Sequence, residues 1–325
     1  MLGLTQSAIP LLNLPVQSKV GSLSGLPLFV LLVQKLNSIS TKNISIQKVS
    51  GAVGALIEGI DLSKKLSDSQ IDTMQQTLFS HGVIFFRNQK LDIQEQKKVA
   101  RYFGNIFIHP NFQGSGDDPE VVMVKRNPGD AAIVGEDWHS DTAMMAEPPM
   151  GAVLYGIDIP PVGGDTLFAS QYMAYNALSE SMKKIVDSLM AVNSDRNVAG
   201  PNSGLNNKRS TKVREDSLWR ETTHIHPVVR VHPKTGRKAL FISRPYTIAI
   251  DGMYETESKA LLEFLFNHCV RPEFTCRFQW EQGSVAIWDN RCVVHLAIND
   301  TGPYHRLMRR IQISGDRPLG CLTSI

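Results

Sequence analysis

From Asn43 onward, apolar and polar positions fall into short, regular runs. Asn43–Val49 alternates in strand fashion, with successive side chains on opposite faces. Gly51, Gly54 and Gly59 punctuate the apolar stretch Ala52–Leu62 as short strands with tight turns. Ser67–Ser80 predicts a helix, because Ile71, Met74 and Leu78 recur at helical spacing and Ser67 suits the N-cap. His81-Gly82 stops that helix, and Val83–Phe86 predicts a buried strand. A second helix starts at Asp92, with Glu95 three residues on as a capping box and Val99, Tyr102 and Phe103 on its apolar face.

Beyond Val121 the pattern is mostly short strands: Val121–Val124, Met150–Ile157, Thr166–Ala169, Pro227–Val231, Ala239–Ile242, Phe274–Trp280, Val285–Asp289 and Leu307–Ile313. Helices are expected at Ser179–Met190 and Glu255–Cys269. Strands spaced by turns, with helices at the start and in two insertions, predict a mainly β fold: a sandwich or jelly roll with flanking helices. The polar stretch Asn193–Glu221 is too long for an ordinary connection and reads as a lid or mobile loop.

Composition narrows the function. A net charge of +3 on 325 residues offers no electrostatic case for nucleic-acid binding. The basic run Lys208–Arg214 ends at Glu215-Asp216 and reads as a solvated loop. Cys269, Cys276, Cys292 and Cys321 have no C-x-x-C spacing, so they read as plain thiols in a reducing, cytoplasmic compartment. Residues 1–42 contain neither Asp nor Glu and carry the apolar run Leu26–Leu36, which is too short to span a bilayer. They read as a poorly ordered extension, with an organelle-targeting peptide as the alternative. The folded domain is expected over 43–325.

Three local patterns suggest chemistry. In Trp138-His139-Ser140-Asp141, two side chains spaced by two on a strand share a face, so an imidazole and a carboxylate can converge on one ion. A second His, such as His295 after Trp288-Asp289-Asn290-Arg291, would complete the facial triad that binds iron(II) and leaves sites open for substrate and O₂. The alternative is a surface turn with an incidental His. Arg306 and Arg310 could anchor a carboxylate in such a pocket, and Gly163-Gly164-Asp165-Thr166 is a turn delivering a hydroxyl at the start of a strand.

In this order, these blocks resemble the TauD/TfdA (taurine / 2,4-dichlorophenoxyacetate dioxygenase) family of 2-oxoglutarate oxygenases. The resemblance runs from about Ile44 to Gly320 and includes Pro148-Pro149, His226-Pro227-Val228-Val229-Arg230, His232-Pro233 and Gly236–Phe241. It implies a double-stranded β-helix, with His139, Asp141 and His295 as catalytic iron(II) ligands. It further implies that Thr166 and Arg306 hold the distal carboxylate of 2-oxoglutarate. Arg310 corresponds to an arginine that lies near the co-substrate and pairs with a substrate anion. Oxygen and 2-oxoglutarate are the implied co-substrates, hydroxylation the implied reaction, and a homodimer or tetramer the implied assembly. Asp141 fits hydroxylation, because halogenating relatives lack that carboxylate. Hydroxylation at a carbon bearing an ether oxygen, amine or sulfonate lets the product fragment.

By the same resemblance, His109 corresponds to a sulfonate-binding His and Tyr246 to an aromatic lining the substrate pocket. Phe112, Gly135 and Ala199 replace a Tyr, an Asn and a Phe of the taurine enzymes, which implies a larger pocket. Arg244 reads as a surface residue rather than a second anion contact. The expected substrate is a sulfonate, sulfate ester or aryloxyalkanoate larger than taurine. The competing readings are a neutral or amine-bearing metabolite, a zinc hydrolase, and a non-catalytic metal-binding jelly roll.

Overall fold

Two sheets face each other, and their strands bring the distant sequence blocks together. The computed structural model describes residues 44–109, 112, 118–199, 204–211 and 220–321. The extension at 1–42, and 200–203 and 212–219 of the expected lid, lie outside the described residues. The described residues begin with β1 (Ser45–Lys48), β2 (Ala55–Glu58), α1 (Asp68–His81), β3 (Val83–Phe86), α2 (Ile93–Arg101), β4 (Ile106–Phe107) and β5 (Val122–Arg126). It continues with β6 (Gly151–Asp158), β7 (Thr166–Ser170), α3 (Gln171–Asn176), α4 (Glu180–Val186), β8 (Met190–Ser194), β9 (Thr223–Pro227) and β10 (Val229–Val231). Then follow β11 (Lys238–Leu240), β12 (Thr247–Ile250), α5 (Glu255–His268), β13 (Thr275–Phe278), β14 (Val285–Asp289), β15 (Val293–Ala297) and β16 (Arg306–Ile313).

The major sheet runs β1-β2-β3-β14-β6-β16-β4, with β5 also paired to β16. The minor sheet is β13-β7-β15, and a single bridge to His139 extends it beyond β15. Together they form the jelly roll. Both faces of the major sheet are covered. Ile84, Phe86, Val153, Ile287 and Ile311 pack against Met74 and Leu78 of α1 and Val99 and Ala100 of α2. On the opposite face, Val83, Phe85, Ala152, Trp288 and Met308 meet Phe168, Phe278 and Val293 of the minor sheet. This double burial is why Val83–Phe86 has no polar position.

The capping box predicted at Asp92 forms, and the N-cap predicted at Ser67 proves to be a second capping box. Ser67 accepts from the Gln70 N–H while the Gln70 side chain accepts from the Ser67 N–H, and Asp92 and Glu95 do the same. Gly82 closes α1 with φ 74°. A Cβ there would lie 2.5 Å from Val293 Cγ2, so glycine also lets the helix end press on β15.

A third layer, β12-β8-β9 with the β10-β11 hairpin, packs with α3, α4 and α5 around Leu178, Val228, Leu240 and Leu265. The expected helix Ser179–Met190 is shorter than its periodicity suggested. It ends at Val186, and Met190 opens β8, because pairing with β9 and β12 overrides local preference there. Pro227–Val231 divides into β9 and β10, and α3 and β15 form without having been expected. Among the described residues, no helix is long and apolar enough to cross a membrane.

Candidate active site

His139 and His295 sit directly opposite each other across the end of the minor sheet. The His139 N–H donates to His295 O at 3.0 Å and the His295 N–H to His139 O at 2.8 Å. Their rings lie 4.1 Å apart between centroids. Asp141 Oδ1 lies 3.7 Å from His139 Nε2 and 3.9 Å from His295 Nε2. All three residues are buried. The Asp137 carbonyl lies 2.7 Å from His139 Nδ1. A carbonyl can only accept, so Nδ1 carries a proton and Nε2 is the nitrogen turned towards Asp141.

Burial holds His295 well below its ordinary pKa, and the neighbouring His139 adds to this, so its ring is neutral. Burial alone would raise Asp141, but His295, Arg310, His139 and the Asn290 amide outweigh it and hold the carboxyl at about 2. Two imidazoles and a carboxylate that converge in this way form a donor set that fits a divalent cation. These three residues can offer their ligand atoms within 4.8 Å of one another.

On one side of this cluster, a small cavity is lined by Thr166, Trp288, His295, Arg306 and Arg310, among others. Thr166 Oγ1 accepts from Trp280 Nε1 at 2.9 Å, which frees its hydroxyl proton to donate elsewhere. Arg306 is buried, and its Nε has no hydrogen-bond partner. Burial lowers its pKa to about 10, which leaves it charged at neutral pH. Gly164 (φ 72°) makes this placement possible: a Cβ would come within 2.9 Å of Arg306 Cδ. A cation and a hydroxyl donor at the end of a narrow cavity suit a carboxylate.

On the other side lies a cavity of ≈ 470 Å³ that reaches Asp141, His139 and Arg310. Arg310 Nη1 donates to Asp141 Oδ1 at 3.3 Å, while its Nε and Nη2 are buried with no hydrogen-bond partner. Phe112 lies beneath the guanidinium, with Arg310 Cζ 5.5 Å from the ring centroid, and meets the His109 ring at 4.5 Å with the planes tilted by 56°. The Phe112 N–H donates to His109 Nδ1 at 3.2 Å, so a neutral His109 ring carries its proton on Nε2. Burial, with Arg310 beside it, drives the His109 pKa down to about 3. Tyr246, Ala199 and Gly135 line the same space. Gly135 (φ 81°) has a second reason to be glycine, since a Cβ would lie 2.9 Å from His139 Cε1.

Residues 45–312 match the family described as "Taurine catabolism dioxygenase TauD, TfdA family". The chain belongs to the TauD/TfdA family. It is 34% identical over 282 residues to an alkylsulfatase of Acinetobacter baylyi, covering 86% of this chain and 88% of that one. It is also 34% identical to an alpha-ketoglutarate-dependent sulfate ester dioxygenase of Pseudomonas putida, over 85% of this chain and 91% of the relative. A taurine dioxygenase structure from Burkholderia xenovorans superposes with a TM-score of 0.73 at 34% identity, covering 86% and 91% of the two chains. Like its relatives in this family, the chain is a 2-oxoglutarate-dependent dioxygenase (alpha-ketoglutarate is the same compound).

Several residues that support this TauD/TfdA site stood in the sequence only as parts of matched blocks, with no role of their own. Asn290 Nδ2 donates to Asp141 Oδ2 at 3.3 Å, and its Oδ1 accepts from Trp288 Nε1 at 2.9 Å. The next residue, Asp289, is wholly buried and accepts from both Arg291 (2.8 and 2.7 Å) and His232 Nε2 (3.0 Å). Asp289, His232 and Cys292 form a second buried group of ligand-type atoms. Their partners are internal, since His232 Nδ1 also accepts the N–H groups of Lys234 and Thr235. Arg244 is partly exposed and tied to Glu263 at 3.3 Å, but it also lines the larger cavity beside Tyr246. One expectation fails: Arg209, assigned to a solvated loop, is only 6% exposed and lines the larger cavity. Charge runs read as surface because desolvation normally keeps them there, but a cavity wall lets a guanidinium lie beneath neighbouring side chains.

Proposed function

We propose that His139, Asp141 and His295 hold iron(II), and that the chain hydroxylates a small anionic organic compound while converting 2-oxoglutarate to succinate. The observation that carries this reading is the position of the three donors beside two adjoining cationic cavities that share His139 and Arg310. Thr166 and Arg306 stand on the narrower side, where they would bind the distal carboxylate of 2-oxoglutarate. Arg310 and His109 stand on the wider side, where they would bind the substrate's acidic group. Iron(II) with 2-oxoglutarate and O₂ supplies the oxidant that removes hydrogen from a C–H bond. The residues fix which C–H is presented and keep water out through Phe112, Tyr246 and Ala199.

Sulfate esters, sulfonates and aryloxyalkanoates are the proposed substrate classes. The named activities of the Acinetobacter and Pseudomonas relatives support sulfate esters first. A (S)-phenoxypropionate/alpha-ketoglutarate-dioxygenase of Sphingobium herbicidovorans, 30% identical, supports the aryloxy class. A cavity of ≈ 470 Å³ also leaves room beyond a two-carbon sulfonate. Four free thiols, three of them buried, fit a reducing cytoplasmic location.

The test is succinate release, measured across alkyl sulfates, alkylsulfonates and aryloxyalkanoates with iron(II) and 2-oxoglutarate present. Turnover of at least one class larger than taurine is expected; activity confined to taurine would overturn the reading. Arg310→Ala should raise the substrate KM by at least about tenfold. A neutral or amine-bearing substrate would instead leave that KM nearly unchanged.

A further inference from the structure

Besides Arg310, the larger cavity is lined by Arg244, which is paired with Glu263, and by Arg209, a cation that the proposed reaction does not use. Arg209 lies on segment 204–211, which is held to the edge of β5 and the turn after it. The Ala132 N–H donates to Lys208 O at 2.9 Å. Ser210 donates to Asp130 through its N–H (3.1 Å) and its hydroxyl (2.9 Å). Thr211 Oγ1 accepts from the Lys125 N–H at 2.7 Å and donates to Lys125 O at 2.9 Å. These bonds fix the backbone on both sides of Arg209, so its side chain is delivered to the cavity by a tethered segment.

The Arg209 Nε and Nη2 are buried and have no hydrogen-bond partner. Together they form the two-donor edge of the guanidinium, whose spacing matches the paired oxygens of a carboxylate, sulfonate or sulfate. Leaving both unpaired is costly, and an anionic ligand would relieve that cost. Glu136 is the acid whose charge reaches Arg209, but its carboxylate accepts from the Ile133 N–H (3.1 Å) and the Asn299 amide (3.4 Å). Arg209 lines the larger cavity but not the smaller one that holds Thr166 and Arg306, so the co-substrate carboxylate already has its own partners. Tyr246 lines the same cavity as Arg209 and Arg310 and is within electrostatic reach of both.

We propose that Arg209 is a second anion subsite, so that the preferred substrate carries two acidic groups. One group pairs with Arg310 and His109 beside the proposed iron site. The other, a carboxylate, sulfonate or sulfate, pairs side-on with Arg209, and the spacer lies along Tyr246 and Leu205. This rests on the reading of the larger cavity as the substrate site of the dioxygenase.

The test compares alkyl sulfates of equal chain length that end in a methyl or in a carboxylate. Succinate release is measured with the wild type, Arg209→Gln and Arg209→Lys. The wild type should favour the carboxylate-ended compound by tenfold or more in KM. Arg209→Gln should reduce that preference to about one, Arg209→Lys should restore part of it, and the 2-oxoglutarate KM should not follow. Equal loss on both compounds, or a wild-type preference for the methyl end, would overturn the subsite. Calorimetric titration of the Mn(II)- and 2-oxoglutarate-loaded protein separates the two claims. Arg209-dependent binding of the double anion without turnover keeps the subsite and removes the hydroxylation reading. Turnover of both compounds without preference keeps the reaction and removes the subsite. If neither compound binds nor turns over, both fall.

Discussion

Asp141 shows how one residue depends on neighbours far away in the chain. Its carboxylate is steadied by Arg310 and by the Asn290 amide, and the same amide is aligned by Trp288. Asn290→Ala should therefore weaken metal binding by about 10- to 100-fold, as losses among groups that orient a metal ligand commonly do. Competitive titration with a chelator would measure it, and unchanged affinity would remove Asn290 from that role. Thr166→Val keeps the shape but removes the hydroxyl proton. On the proposed reading it should raise the 2-oxoglutarate KM by about tenfold or more, with little change in kcat. A residue outside the site sets part of the acid sensitivity. Burial outweighs the bond to the Met145 carbonyl and lowers the His226 pKa from 6.5 to about 4. Between those values the unfolded chain takes up a proton that the folded chain refuses. The stability from neutral His226 is thus complete above about pH 6.5 and is lost as the pH falls towards 4. From pH 7 to 4.5 the loss should be on the order of 2 kcal/mol. Urea unfolding of wild type and His226→Gln at both pH values would show the slope flatten if this histidine is responsible.

At the scale of the element, β16 divides its work between its two faces. Arg306, Met308 and Arg310 point between the sheets, whereas Ile311 and Ile313 pack with α1 and α2. On that outer face Arg309 donates to Gln96 Oε1 (2.6 Å) and Leu91 O (2.6 Å), joining α2 to the strand. A period of two therefore sends two arginines to the site and a third to the helical layer. The Gly163-Gly164 turn sets where β7 begins. Gly164→Ala would force a side chain into left-handed backbone and against Arg306. It should raise the 2-oxoglutarate KM and lower stability by about 1–3 kcal/mol, read from assay and urea midpoint together. An unaltered KM would mean that Arg306 can shift without consequence.

At the scale of the whole molecule, the jelly roll keeps one face of its major sheet for support and the other for chemistry. Helices α1 and α2 close the first, so the second can contain buried polar groups without loss of the common core. A protein with a net charge of +3 thereby gathers Arg306, Arg310 and Arg209 around the triad. Because the three donors converge only when the sheets are assembled, the proposed metal binding would be coupled to folding. A divalent metal at about 100 times its Kd should stabilise the fold by about 2.7 kcal/mol. Chelator should then lower the Tm, and Asp141→Ala should abolish the difference between the two conditions. A chelator-insensitive Tm in the wild type would speak against a metal at this site.

The sequence by itself determined the parts whose information is local. The capping boxes at Ser67 and Asp92, the strand Val83–Phe86, and the shared face of His139 and Asp141 depend on residues within one turn or one strand. The order of blocks was enough to indicate the family and, with it, the jelly roll. Tertiary structure decided the features that depend on distant partners. The β15 strand was hidden because Val293–Ala297 is defined by pairing with β7, and β8 because a helical pattern yields to sheet pairing. It also decided the fate of Arg209, whose neighbours are basic and polar and mark a surface loop. Only anchoring of 208–211 to Lys125, Asp130 and Ala132 turns that side chain into the cavity. Burial is a property of what packs on a residue, and the anchors that fix this segment, Lys125, Asp130 and Ala132, lie more than 70 positions from Arg209 in the chain.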